Sequence, residues 1–182
     1  MTTRKQSRQE LIDLVHRFVA VESVGITAVR GQGAGVLDAV RGQLATEDLG
    51  SIPAGEEAFA RWLDACTERV LDALPDTVDG RPWGTARKAV NLFLRTCTYN
   101  HYLRCHYQLA RVEPLLEVPV DSVVAGALKR EAGRGQLPVW NGLKRLTPEE
   151  HAQFQDYAGE LARRRGFSCR VHLDMDLWLS NR

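Results

Sequence analysis

Lys88 and Asp121 are the two residues of this chain whose types and settings suit covalent chemistry together. Lys88 closes the run Gly84-Thr85-Ala86-Arg87-Lys88, which follows Pro82-Trp83 and reads as a helix start with Lys88 in the first turn. A lysine that has lost its proton is an amine nucleophile able to form an imine. Asp121 comes 33 residues after Lys88, inside the mostly apolar stretch from Leu115 to Ala125. A carboxylate in such a stretch is costly unless it is paired or hydrogen bonded. Two settings would satisfy it. Asp121 or Ser122 caps a helix running through Val124, Ala125 and Leu128. Alternatively, Asp121 stands beside Lys88, takes up its proton and stabilises positive charge developing on a sugar. A lysine and a carboxylate so paired are what glycosidic-bond cleavage with imine formation requires.

The elements that must bring the pair together are helical. Leu11, Leu14, Val15, Phe18 and Val19 recur at helical spacing and form one apolar stripe. Phe59, Leu63, Cys66, Val70 and Leu74 do the same from Glu56 to Leu74. Ala89 to Leu109 is the longest predicted helix. Thr147-Pro-Glu-Glu150 is a capping box with proline at the first helical position, starting a helix that runs to Arg165 and stops at Gly166. A short last helix spans His172 to Trp178. Val24 to Val29 is the one short strand signal, and the glycines at 31, 33 and 35 read as a turn before a helix. The expected fold is all-α: a compact multi-helix domain over residues 1–182. Residues 75–82 are the place where two helical lobes would divide.

Composition narrows the function classes. The chain has 182 residues, 44% of them hydrophobic, and a formal net charge of +1. That is enough chain to bury a core without metal or disulfide staples. No apolar run nears the roughly 18 residues of a membrane span, and the polar N-terminus lacks a secretory apolar segment. The expectation is a soluble cytoplasmic monomer, associated with the nucleoid in a prokaryotic cell, with no membrane partner. Between Arg81 and Arg170 there are 15 Lys and Arg against 8 Asp and Glu. This excess suits a polyanionic partner, and it equally suits solvated helix faces. Cys97, His101 and Cys105 share helical spacing, but no fourth ligand accompanies them, so no metal site is read there.

Gly84 lets a backbone approach closely, and the unpaired N–H groups of a first helical turn bind phosphate. Gly84, Thr85, Ala86 and Arg87 are therefore candidates to grip a nucleic-acid backbone, the other reading being an ordinary turn. These segments resemble the helix-hairpin-helix DNA glycosylase superfamily. Gly84, Arg87, Lys88 and Asn91 match the endonuclease III-like form of its hairpin motif, and Val118-Pro119-Val120-Asp121 is similar to the corresponding turn of 8-oxoguanine glycosylases. The long interval from lysine to aspartate is similar to that of the archaeal 8-oxoguanine glycosylase/lyase group. His172-Leu173-Asp174-Met175-Asp176-Leu177-Trp178 resembles the L-D-x-x-x-W ending of that group. The resemblance covers roughly residues 82–125 and 171–178. It departs where Ala86 replaces the second hairpin glycine, where Ser122 follows the aspartate with no histidine after it, and in having no four-cysteine iron–sulfur run.

The resemblance implies a DNA N-glycosylase with lyase activity acting in base excision repair on an oxidised purine such as 8-oxoguanine. Lys88 would be the nucleophile and Asp121 its carboxylate partner, and no metal or organic cofactor would be needed. Asp174 and Trp178, four residues apart on one helix face, would line the pocket for the damaged base. Trp62 would either cover that pocket or pack in the core. The alternative function is a non-catalytic helix-hairpin-helix DNA-binding or adaptor protein.

Overall fold

Apolar periodicity and capping residues divide the chain into helices joined by short turns. The computed structural model describes residues 2–180, with side chains from residue 7. Among them are eight α-helices and no β-strand: α1 (Thr2–Ser23), α2 (Val36–Leu44), α3 (Glu56–Asp72), α4 (Trp83–Tyr99), α5 (His101–His106), α6 (Ser122–Ala132), α7 (Pro148–Arg164) and α8 (Leu173–Leu179). The all-α, multi-helix class is the class observed. None of the described helices is long and apolar enough to cross a membrane. The capping box at α7 is formed in both directions, Thr147 to the Glu150 backbone and Glu150 back to Thr147. Gly166 follows that helix at φ 79°, a left-handed conformation that glycine adopts without strain.

Four local expectations change. The long helix from Ala89 to Leu109 is broken at Asn100, whose side chain accepts hydrogen bonds from the Tyr102 and Leu103 amides and so starts α5 afresh. The Val24–Val29 segment holds a single 3-10 turn, Ile26–Val29, in place of a strand. On α1, Leu11, Leu14 and Phe18 are exposed, and the buried face is Ile12, His16, Val19 and Ala20. His16 turns the helix this way because its Nε2 lies 3.2 Å from the Leu44 carbonyl and its ring stacks on Phe93. Finally, residues 75–82 do not divide the core. One apolar cluster gathers α1 to α5, runs to Leu116 and takes in Cys169 and Val171; a second begins at Val118 and gathers α6, α7 and α8. The seam between the clusters therefore falls at the segment that carries Asp121.

Gly84 has a packing role. It lies in the first turn of α4, where a Cβ would stand 2.5 Å from the Leu143 carbonyl oxygen and 2.8 Å from Leu146 Cβ. The start of α4 and the 3-10 turn Leu143–Arg145 thus touch at a distance only glycine permits. Because the obstruction includes backbone, Gly84→Ala is expected to destabilise the fold by about 1–3 kcal/mol, the usual scale of core overpacking. Urea unfolding of the variant, read as a lowered midpoint at unchanged slope, measures it.

Candidate active site

Residues 116–121 cross from one apolar cluster to the other without helix or sheet. Their polar groups are satisfied by side chains from three other elements. Gln155 of α7 accepts from the Val118 amide (2.9 Å) and donates to the Val118 carbonyl (2.7 Å). Arg170 donates to the carbonyls of Leu116 and Leu115 at 3.0 and 3.2 Å. From α4, Arg87 grips both oxygens of Glu117 (2.8 and 2.9 Å), and Asn91 donates to Glu117 at 2.8 Å. Arg87 also reaches Asp64 at 2.8 Å and Thr67 at 3.2 Å, both on α3.

The next residue of α4 makes the second link. Lys88 Nζ lies 3.0 Å from Asp121 Oδ2, with the lysine side chain 8% and the aspartate side chain 29% exposed. Asp121 Oδ1 accepts from the Val123 and Val124 amides at 2.9 and 3.0 Å and caps α6. The two settings considered for Asp121 are both occupied: one oxygen caps a helix and the other faces the lysine. Lys88 itself is the sixth residue of α4, in the second turn and not the first.

Two adjoining cavities meet at this pair, of about 650 and 670 Å³, and both are lined by Thr27, Ala28, Lys88, Asp121 and Trp178. The first continues past Arg30, Trp140, Lys144 and Arg145, so its outer wall is cationic. The second continues past Leu92, Arg95, Tyr99, Asp174 and Met175 and is more apolar. Asp174 is buried and ion-paired with Arg95 of α4. Trp178 is 45% exposed at the junction of the two cavities. A polar, cationic mouth beside an apolar recess, with an amine and a carboxylate between them, can hold a flat heterocycle on one side and its anionic attachment on the other.

Several expected site residues are placed elsewhere. Gly84, Thr85, Ala86 and Arg87 are buried, so they do not present a phosphate cradle. The Thr85 and Ala86 amides are already bonded to the Pro82 carbonyl, and the Thr85 hydroxyl accepts from Gln32 at 2.7 Å. Arg87 is committed to Glu117 and Asp64. Trp62 lies outside both cavities: it stacks on Phe59, and its Nε1 donates to Ser51 at 3.3 Å. Cys97 is in the core while His101 and Cys105 are exposed, so these three do not converge. The sequence reading missed Glu117, Gln155, Arg95 and Tyr99. Glu117 was detectable, since it sits in the same apolar stretch as Asp121 and poses the same burial problem. Comparison with protein-family models, with curated proteins and with solved structures returns no match.

The charges behind the pair are strongly coupled. Burial alone would raise the Glu117 carboxyl, but His151 and Arg87, with the hydrogen bonds from Arg87 and Asn91, hold it down to about 2. Burial lowers His151 to about 4, against the attraction of Glu117, so its ring is neutral at ordinary pH and packs edge-on against Trp83. Both folded values lie below the ordinary 6.5 for histidine and 4.5 for glutamate. In both windows the unfolded chain binds the extra proton, so acidification favours unfolding. Stability is expected to fall from about pH 6.5 to 4 through His151, and from about 4.5 to 2 through Glu117. Thermal melts across pH 2–8 test this. His151→Phe, which keeps a ring against Trp83, should flatten the upper window and narrow the lower one, because Glu117 loses the attraction of His151 and is held down by Arg87 and Asn91 alone.

Proposed function

We propose that the chain is a DNA N-glycosylase with associated lyase activity, excising a damaged base in base excision repair, with an oxidised purine such as 8-oxoguanine as the favoured substrate. The observation that carries this reading is the 3.0 Å approach of Lys88 Nζ to Asp121 Oδ2 at the shared floor of two unlike cavities. The segment resemblances around both residues and at Asp174 and Trp178 support it. On this reading the chain acts as a monomer in the cytoplasm, on the nucleoid in a prokaryotic cell.

The duplex backbone is held electrostatically by exposed Arg30, Lys144 and Arg145 at the mouth of the first cavity. They replace the buried Gly84–Arg87 run as the backbone contact. The target nucleotide leaves the base stack, and its base enters the second cavity, where Trp178 offers a π-face and Asp174 accepts N–H groups. Asp121 takes the proton from the Lys88 ammonium. The free amine attacks C1′, the C1′–N bond breaks, and its electron pair leaves with the base, which is then protonated. One of the two protons on the attached nitrogen passes to O4′ as the C1′–O4′ bond opens, and the other stays, leaving a protonated imine. Loss of a C2′ proton then expels the 3′ phosphate and nicks the strand. Asp121 passes the lysine proton on to the departing base, and its restored negative charge stabilises the cationic sugar before the amine bonds to it.

Asp121→Asn separates charge from structure, because asparagine caps a helix about as well as aspartate. Both Asp121→Asn and Lys88→Ala are expected to slow single-turnover base release by at least about 10²-fold, the scale of a lost proton-transfer group. A parent chain that binds duplex but releases no oxidised, deaminated or alkylated base would instead be a non-catalytic DNA-binding protein.

A further inference from the structure

Two cavities of nearly equal size flank the Lys88–Asp121 pair, about 650 and 670 Å³, and the reaction above fills only the second. One flipped base is all that base release at Lys88 requires. The first cavity has the volume of a site for a drug-sized ligand, far more than a backbone phosphate fills. Its cations, Arg30, Lys144 and Arg145, are exposed at the mouth. Its wall also carries two indoles, Trp140 and Trp178. Trp140 is held edge to face against buried Phe154, with ring centroids 6.0 Å apart and planes at 81°. The loop that carries Trp140 is tied down by Lys129, whose Nζ donates to the Pro138 carbonyl at 2.8 Å. Trp178 lines both cavities, so one indole can serve a ring on either side. Aromatic faces behind a cationic mouth are what unstacked nucleotides settle on, with little regard to base identity.

We propose that the first cavity is a second nucleobase site, which takes the base of the nucleotide next to the target in the same strand; the assignment rests on the base-excision reading above. Reach favours that neighbour. Both cavities are lined by Lys88 and Asp121, so with C1′ of the target at Lys88 the two bases diverge from one point. A single phosphate joins consecutive sugars, and it lies by the cations Arg30, Lys144 and Arg145. The base opposite the target would have to cross the width of the duplex to arrive there. The target base and its neighbour sit on either side of Trp178, and the indole replaces the stacking contact that the two bases lose to each other.

Equilibrium binding in a Lys88→Gln background tests this. The duplexes carry 8-oxoguanine or guanine at the target, and an abasic analogue in turn at the 5′ neighbour, the 3′ neighbour or the opposite position. Removing a neighbour's base loosens the duplex and by itself favours flipping. Against that trend, removing it on one side of the target is expected to weaken binding of the 8-oxoguanine duplex about tenfold, the scale of one base stacked on an aromatic ring. Trp140→Leu should reduce that loss; a loss that persists undiminished in the folded variant overturns the site. The comparison between duplexes leaves the cavity wall unaltered, so it decides the matter even if Trp140→Leu fails to fold. Affinity that neither neighbour's removal lowers, with 8-oxoguanine still preferred to guanine, overturns the second site and leaves base excision standing. A loss seen only on removing the opposite base overturns the neighbour as occupant. A background protein that binds 8-oxoguanine no tighter than guanine overturns the base-excision reading, and the second site with it.

Discussion

The structure depends on one buried ion pair, Arg87 with Glu117. A chain segment that crosses between two apolar cores with neither helix nor sheet leaves its own backbone and side-chain charges to be satisfied by others. Arg87 grips both Glu117 oxygens, and Asp64, Asn91 and Thr67 complete the set. Charges taken from water are tolerated only with such complete pairing. Once Glu117 is fixed on Arg87, the register of the segment along α4 is fixed as well. The neighbouring Lys88 then faces Asp121, four residues further along the segment. The lysine–aspartate contact is thus held from behind by a second pairing of cation to carboxylate, Arg87 with Glu117, that solvent hardly reaches.

The same arrangement separates rigid from open parts of the site. Lys88 stands in the second turn of a helix, and Asp121 is tied to two backbone amides at the start of another. Groups carried on helices and locked by second contacts hold a geometry more closely than groups on loops. The open parts are the cationic rim of Arg30, Lys144 and Arg145 and the exposed ring of Trp178. A large polyanion can meet such a rim without disturbing the buried pair. Across the seam, Gly84 lets α4 lie against the 3-10 turn that precedes α7, so the rim residues Lys144 and Arg145 are positioned by the same contact that seats α4.

Much of the fold was legible because local rules and tertiary packing agree. The α7 capping box and the apolar spacing of α3 announce elements that the structure forms within a residue or two. The spacing rule misled at α1, where Leu11, Leu14 and Phe18 are the larger apolar side chains yet His16 faces the core. A distant carbonyl and a distant ring decide that choice, and no window of sequence contains either. Asn100 was legible in principle as a cap but sat inside an unbroken helical pattern. At the site, Lys88 and Asp121 stood out because a charge in apolar surroundings demands a partner. Arg87 was misplaced because an arginine beside a glycine at a helix start looks like a phosphate ligand. Its true partner, Glu117, was present in the same stretch as Asp121. Trp62 was ambiguous between core and pocket, and packing against Phe59 resolved it.

The central claim is that Lys88 and no other amine bonds to the sugar. Reaction with a lesion-bearing duplex in the presence of borohydride would reduce the imine to a stable adduct. Proteolysis and mass spectrometry of that adduct then locate the modified amine. The account predicts a single modified peptide with the sugar remnant on Lys88. An adduct on Lys144, on Lys129 or on the terminal amine, with Lys88 unmodified, would contradict it.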